Sequence, residues 1–175
     1  MNKLDIVTDE SGNKVVLLPE IIFSNKQNIN WDDVENYLGK YVGELIEIAE
    51  TRDIIYIGNK FPDEYGGSSY TRKTKGARAK AKANAAQGIR EMVEIATDKV
   101  YRENHKEKHS EDAHNGWFYY VTRFAIPLYN NEKKTGEYNV YSACLVVNHA
   151  ANGKMYLYDV VDIKKEASNP LMTIK

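Results

Sequence analysis

One cysteine, four prolines and no long apolar run set the outer limits of this 175-residue chain. A lone thiol closes no disulfide within the chain and builds no cysteine-based zinc site, so stability must come from a packed core. Cys144 sits in SACLVV, an apolar setting that favours a packed thiol over a nucleophile. No segment approaches the roughly 18 apolar residues of a membrane span, and the charged start MNKLDIVTDE lacks the apolar centre of a signal peptide. The expectation is a cytoplasmic protein with no membrane partner, built as a single domain over residues 1–175, a length that supports one core.

Acidic charge is scarce where basic charge is dense. The overall net charge of −1 divides into −7 over Met1–Glu64, +6 over Tyr65–Lys108 and zero over His109–Lys175. Such segregation leaves two readings open: an acidic segment packed beside a basic one, or a separate anion-binding face. The basic density peaks at Arg72, Lys73, Lys75, Arg78, Lys80 and Lys82, six cations in eleven residues with alanine at most of the others. Ile89, Met92, Val93 and Ala96 follow at helical spacing after Gly88, so the segment predicts a helix that is wet in its first part and buried in its second. RNA or single-stranded DNA is the natural partner of such a ridge.

Around this segment the chain reads as α+β. Leu4–Thr8 and Val15–Leu18 flank SGNK as a β-hairpin, and Ile21–Phe23 continues as extended chain. Asn30 caps a helix whose apolar face runs through Trp31, Val34, Tyr37, Leu38, Tyr41, Val42, Leu45 and Ile46, with Asp32 and Asp33 in the first turn. IIYIG is β-prone and leads into a loop, NKFPDEYGGSSYT, whose GGSS lacks the spacing and lysine of a phosphate-binding P-loop. The polar stretch TDKVYRENHKEKHSEDAHNG reads as helix, or helix then loop. It carries His105, His109 and His114, and with Asp112 they compose the one arrangement suggestive of a metal. Lys106 and Lys108 beside them argue against a cation, so neither a metal nor a cofactor is expected.

Three β-runs close the chain: Trp117–Tyr129, Tyr138–His149 and Lys154–Lys164, an antiparallel meander whose last turn is AAN-G. Alternation in the third run puts Met155, Leu157, Asp159, Val161 and Ile163 on one face. Tyr156, Tyr158, Val160, Asp162 and Lys164 fall on the other. Arg123 is the only charge between Trp117 and Asn130 and requires a carboxylate or a bound phosphate as partner.

The stretches IYIGNKFPDEY, KAKANAAQGIREMVEIAT, KHSEDAHNGWFYYVTRFAIPLY and YNVYSACLVVNHAANGKMYLYDVVDIKKEASNPL resemble a domain of the large polyvalent proteins of phages and conjugative elements, over about Gly12 to Leu171. That resemblance implies a barnase/EndoU/RelE-like fold and a metal-independent ribonuclease site on the sheet. The family's pattern has an arginine and an aspartate near the positions of Tyr119 and Val121, and this chain has neither. Ribonuclease chemistry through the 2′-hydroxyl needs a base, an acid and a phosphate clamp. The candidates are His109 with His105 or His114, Arg123 as clamp, and Tyr156 or Tyr158 to stack or donate a hydrogen bond. The rival expectation is a non-catalytic protein that covers and inhibits a host defence protein.

Overall fold

Side chains large enough to fill a core alternate along two strands of unusual length, and a computed structural model shows the sheet they build. It describes residues 3–24, 28–103, 115–166 and 171–172. In chain order, β1 (Ile6–Asp9) and β2 (Lys14–Leu17) precede α1 (Trp31–Leu38), β3 (Leu45–Glu47) and β4 (Ile54–Tyr56). Four helices follow: α2 (Phe61–Gly67), α3 (Ser69–Lys73), α4 (Gly76–Ala85) and α5 (Ile89–Glu94). The chain then returns to strands with β5 (Thr97–Arg102), β6 (Trp117–Asn130), β7 (Lys133–His149), β8 (Met155–Lys165) and β9 (Leu171–Met172). The architecture is mixed α+β, and among the described residues no helix is long and apolar enough to cross a membrane.

The sheet runs β3-β4-β8-β7-β6-β2-β1-β9, with β5 sharing the β6 edge. β6, β7 and β8 pair antiparallel in succession, whereas β2 joins β6 and β4 joins β8 in parallel. Tyr120, Phe124, Tyr141, Ala143, Leu145, Val147, Leu157 and Val160 face the main core. There they meet the alanines of α4, together with Ile89, Met92 and Val93 of α5. Thr122, also turned inward, donates its hydroxyl to Met92 O at 2.7 Å. A smaller cluster of Val7, Val15, Ala125 and Val140 occupies the opposite side of the sheet.

The sheet curls so that the turn between β3 and β4 reaches β5 and β6. Asp53, in the turn between β3 and β4, accepts from Tyr120 Oη of β6 at 2.8 Å and pairs with Lys99 Nζ of β5 at 2.8 Å. Ala49 N donates to Glu94 O across the same seam. Gly88 lets the helical layer approach β2: a Cβ there would stand 3.0 Å from Leu18 Cδ2 and 3.3 Å from Val16 Cγ1. Asn84 secures Ile22 and Phe23, which form no strand, by accepting from both backbone amides and donating to Phe23 O.

Several local expectations are corrected. The helix begun by Asn30, whose side chain does accept from Asp32 N and Asp33 N, stops at Leu38 rather than reaching Ile46. A single 3-10 turn follows, then Val42 and Gly43 (φ +94°) form a turn closed by Glu44 N donating to Tyr41 O, after which Leu45 and Ile46 enter β3. The segment read as a loop after IIYIG forms α2 and α3. Pro62 sits in the first turn of α2, where a missing N–H is harmless, and Ser68 caps α3 by accepting from Thr71 N. The chain after Ala96 is strand, not helix, because Val100 to Arg102 pair with Trp117 to Tyr119 of β6.

The link between β6 and β7 is shorter than NNEKKTGE suggests: Asn131 and Glu132, both with positive φ, make a two-residue turn inside one long hairpin. In β8 the alternation breaks at a bulge between the pairs Val147↔Leu157 and Val146↔Asp159. Asp159 and Val160 are therefore both buried, and Val160 rather than Val161 enters the core.

Candidate functional site

The basic segment is a corner, not a rod. α3 ends at Lys73, Thr74 and Lys75 are extended, and Gly76 has φ +60° where α4 begins. α4 turns its alanine stripe to the core, with Ala79, Ala81, Ala83 and Ala85 buried. Arg72, Lys73, Lys75 and Arg78 remain exposed, and Lys80 is half-buried. None of these five makes an ion pair among the described residues.

Lys82 does not belong to that ridge, which corrects its assignment as a nucleic-acid contact. It lies three residues after Ala79 on the buried face of α4, and its side chain is 0% exposed. Its Nζ meets Asp159 Oδ1 at 2.7 Å and lies over the rings of Tyr65 and Tyr70. Burial pushes the ammonium of Lys82 down and the carboxyl of Asp159 up, and their mutual attraction opposes both shifts. Tyr65 Oη donates to Lys82 O and so ties α2 to α4, and Tyr70 Oη accepts from Ile163 N at 2.9 Å, which fastens α3 to β8. The sequence signalled only half of the pair: Asp159 alternates with the apolar Leu157 and Ile163 of β8, whereas Lys82 reads as one more cation of the basic segment.

Arg123 finds a carboxylate. Its Nε donates to Glu166 Oε1 at 2.7 Å, which engages one of the five N–H groups of the guanidinium proposed as a phosphate clamp and pairs its charge. Arg123 is paired in register with Ser142, whereas Tyr156 is opposite Asn148. Six residues along β7 separate those positions by about 20 Å at a strand rise of ~3.3 Å per residue. Arg123 and the two tyrosines therefore share no reacting centre. His105, His109 and His114 lie outside the described residues, as does Asp112. Among the described residues no group of three or more His, Cys, Asp or Glu converges to hold a metal ion.

Tyr156 and Tyr158 do share the outer face of β8. The Tyr156 ring lies 5.7 Å from that of Tyr56, and Tyr158 meets Trp117 edge to face at 5.0 Å. Lys154 Nζ stands over the Tyr56 ring at 4.9 Å. Beside these rings, where the chain leaves β4 and enters α2, is a hollow of about 260 Å³ lined by Gly58, Phe61, Glu64, Asn148, Tyr156 and Tyr158 among others. Gly58 keeps it open: a Cβ there would stand 3.3 Å from the Tyr156 ring. Asn148 is 7% exposed, and its Oδ1 has no hydrogen-bond partner. An unmet acceptor in a buried carboxamide requires an explanation. Sequence reasoning passed over Asn148, although an amide ending the apolar run CLVVN was a visible anomaly.

Comparison with protein-family models, curated proteins and solved structures finds no match to this chain.

Proposed function

We propose that the protein binds a single-stranded nucleic acid, RNA or single-stranded DNA, with the phosphates held along Arg72, Lys73, Lys75 and Arg78. The observation that carries this reading is the unneutralised ridge. No Asp or Glu occurs between Glu64 and Glu91, and the four exposed cations make no ion pair among the described residues. Cations left in water around an exposed corner suit an extended polyanion, which gains affinity by releasing counterions. Tyr156, Tyr158 and Tyr56 on the outer face of the sheet favour a single strand over a duplex, because unstacked bases have faces to offer them.

The order of helices followed by an antiparallel meander supports placing the chain beside the nuclease-like domains of polyvalent proteins of phages and conjugative elements, as part of the same proposal. Binding is favoured over metal-independent cleavage, since Arg123 is held by Glu166 far from the tyrosines.

The test is affinity for a labelled single-stranded RNA against salt. Four phosphates neutralised predict a slope of about −3 in log K against log salt, at roughly 0.7 per phosphate on a single strand. Replacing Arg72, Lys73, Lys75 and Arg78 together by glutamine should flatten it to near zero. Absence of binding at low salt, or affinity indifferent to salt, overturns the reading and leaves the ridge to a protein partner such as a host defence protein.

A further inference from the structure

We infer that a second hollow, between α1, α5 and the chain leading into β1, binds a free amino acid with an apolar side chain, its ammonium held by Glu91 and its carboxylate by Lys40. The site is separate from the cationic ridge and does not depend on the nucleic-acid reading.

This hollow has a volume of about 510 Å³, within the range of small-molecule sites. Leu4, Pro19, Tyr37 and Tyr41 give it apolar walls. Of the charged groups that line it, Lys3 pairs with Glu94 at 2.7 Å and Arg90 pairs with Glu44, so those charges are met within the fold. Two are not. Glu91 and Lys40 line the same hollow with opposite charges, yet neither makes an ion pair among the described residues.

Glu91 is 5% exposed, and its one described hydrogen bond is from Leu4 N to Oε2 at 3.1 Å. Oε1 has no donor. It is nevertheless accessible, since the buried side-chain atoms left without a partner among the described residues are Glu44 Oε1 and Asn148 Oδ1, and the space that Glu91 lines is this hollow. A carboxylate so deep with one amide for company calls for a cationic donor small enough to enter. Lys40 is placed to take the other end of such a molecule. Its Nζ donates to Tyr37 Oη at 2.8 Å and stands 4.2 Å and 5.3 Å from the ring centroids of Tyr37 and Tyr41. The rings position the ammonium without neutralising it, and two of its three N–H groups stay available for a carboxylate. Both charges act on Tyr41: Lys40 lies over its ring, and Glu91 adds to the rise that burial imposes on its phenol.

A small frame carrying both an ammonium and a carboxylate satisfies the two groups together. A purely cationic ligand would leave Lys40 unpaired and meet its repulsion, and a purely anionic one would face Glu91. The apolar walls then take the side chain.

The experiment is an NMR titration of the full chain with L-phenylalanine, with N-acetyl-L-phenylalanine, whose ammonium is blocked, and with L-phenylalanine amide, whose carboxylate is blocked. The parent should bind L-phenylalanine with millimolar or tighter affinity and each blocked compound about tenfold more weakly or worse, the loss of one hydrogen bond between charged groups. Glu91→Gln keeps an acceptor for Leu4 N and should abolish the discrimination against the N-acetyl compound. Lys40→Met should abolish the discrimination against the amide. Lys40 is exposed, so its variant serves the test even where Glu91→Gln fails to fold. No binding of L-phenylalanine by the parent, equal binding of the three compounds, or unchanged discrimination in folded variants overturns the site. Salt-dependent RNA binding should be the same in both variants as in the parent, which keeps this test separate from that of the ridge.

Discussion

Lys82 of α4 and Asp159 of β8 meet at 2.7 Å with side chains 0% and 4% exposed, and this one ion pair joins the helical layer to the sheet. Taking both charges out of water is costly, and the pair is kept by its surroundings. Val160 N donates to Asp159 Oδ1 at 2.8 Å, and Lys82 Nζ lies 4.6 Å from the Tyr65 ring centroid. Removing one partner strands the other charge, so Lys82→Met or Asp159→Asn should each cost about 3–5 kcal/mol in urea unfolding. Replacing both at once, Lys82→Met with Asp159→Leu, should recover much of that loss. Single variants within about 1 kcal/mol of the parent would show that the pair contributes no such constraint.

Asp53 closes the curl of the sheet, and its protonation should loosen it. Burial alone would raise its carboxyl. Hydrogen bonds from Lys99, Thr51 and Tyr120 outweigh burial and hold it below the ordinary aspartate range. A carboxylate whose folded pKa is lowered stabilises fully above its unfolded value, and that contribution disappears as pH falls through the folded one. Parent and Asp53→Asn should therefore differ most in urea midpoint near about pH 6 and converge by about pH 2. The expected difference at neutral pH is about 1–3 kcal/mol, the range for hydrogen bonds to a charged group. A gap independent of pH would mean that the carboxylate charge plays no part in closure.

How far the sequence revealed this protein depended on whether a signal was local. The meander was legible because tight turns and alternating apolar residues specify it within a few residues, and Asn30 announced its helix by its capping chemistry. The end of α1 was not, since Leu45 and Ile46 keep helical spacing yet pair with Ile55 and Tyr56, partners no window on α1 contains. The phase of β8 after Asp159 depends on a bulge opposite β7, again a long-range fact. In the candidate site, exposure of Arg72, Lys73, Lys75 and Arg78 followed from charge. The diversion of Lys82 into the core needed Asp159, 77 residues away. Arg123 was correctly seen to require a partner, but nothing near it named Glu166, 43 residues on.

Cys144 gives the remaining prediction, because its chemistry follows from its place on β7. The thiol is half-buried on the outer face, in a hollow shared with Val100, Arg102, Tyr119, Val161 and Asp162. Burial pushes it up to about 11, and the charge of Asp162 adds to the shift, while a backbone hydrogen bond and Arg102 oppose it weakly. Only the thiolate attacks disulfide reagents, and a free cysteine has a pKa of about 8.5. At about pH 8 the folded thiol should then react roughly one order of magnitude more slowly than the same thiol in urea, after allowing for the greater intrinsic nucleophilicity of a more basic thiolate. Following the exchange of Cys144 with an aromatic disulfide in native and denaturing buffer measures this directly. The native rate should climb steeply on raising the pH toward about 10, where the folded thiolate begins to accumulate. Equal rates in native and unfolded protein at about pH 8 would instead identify an activated thiol and reopen nucleophilic chemistry on this face.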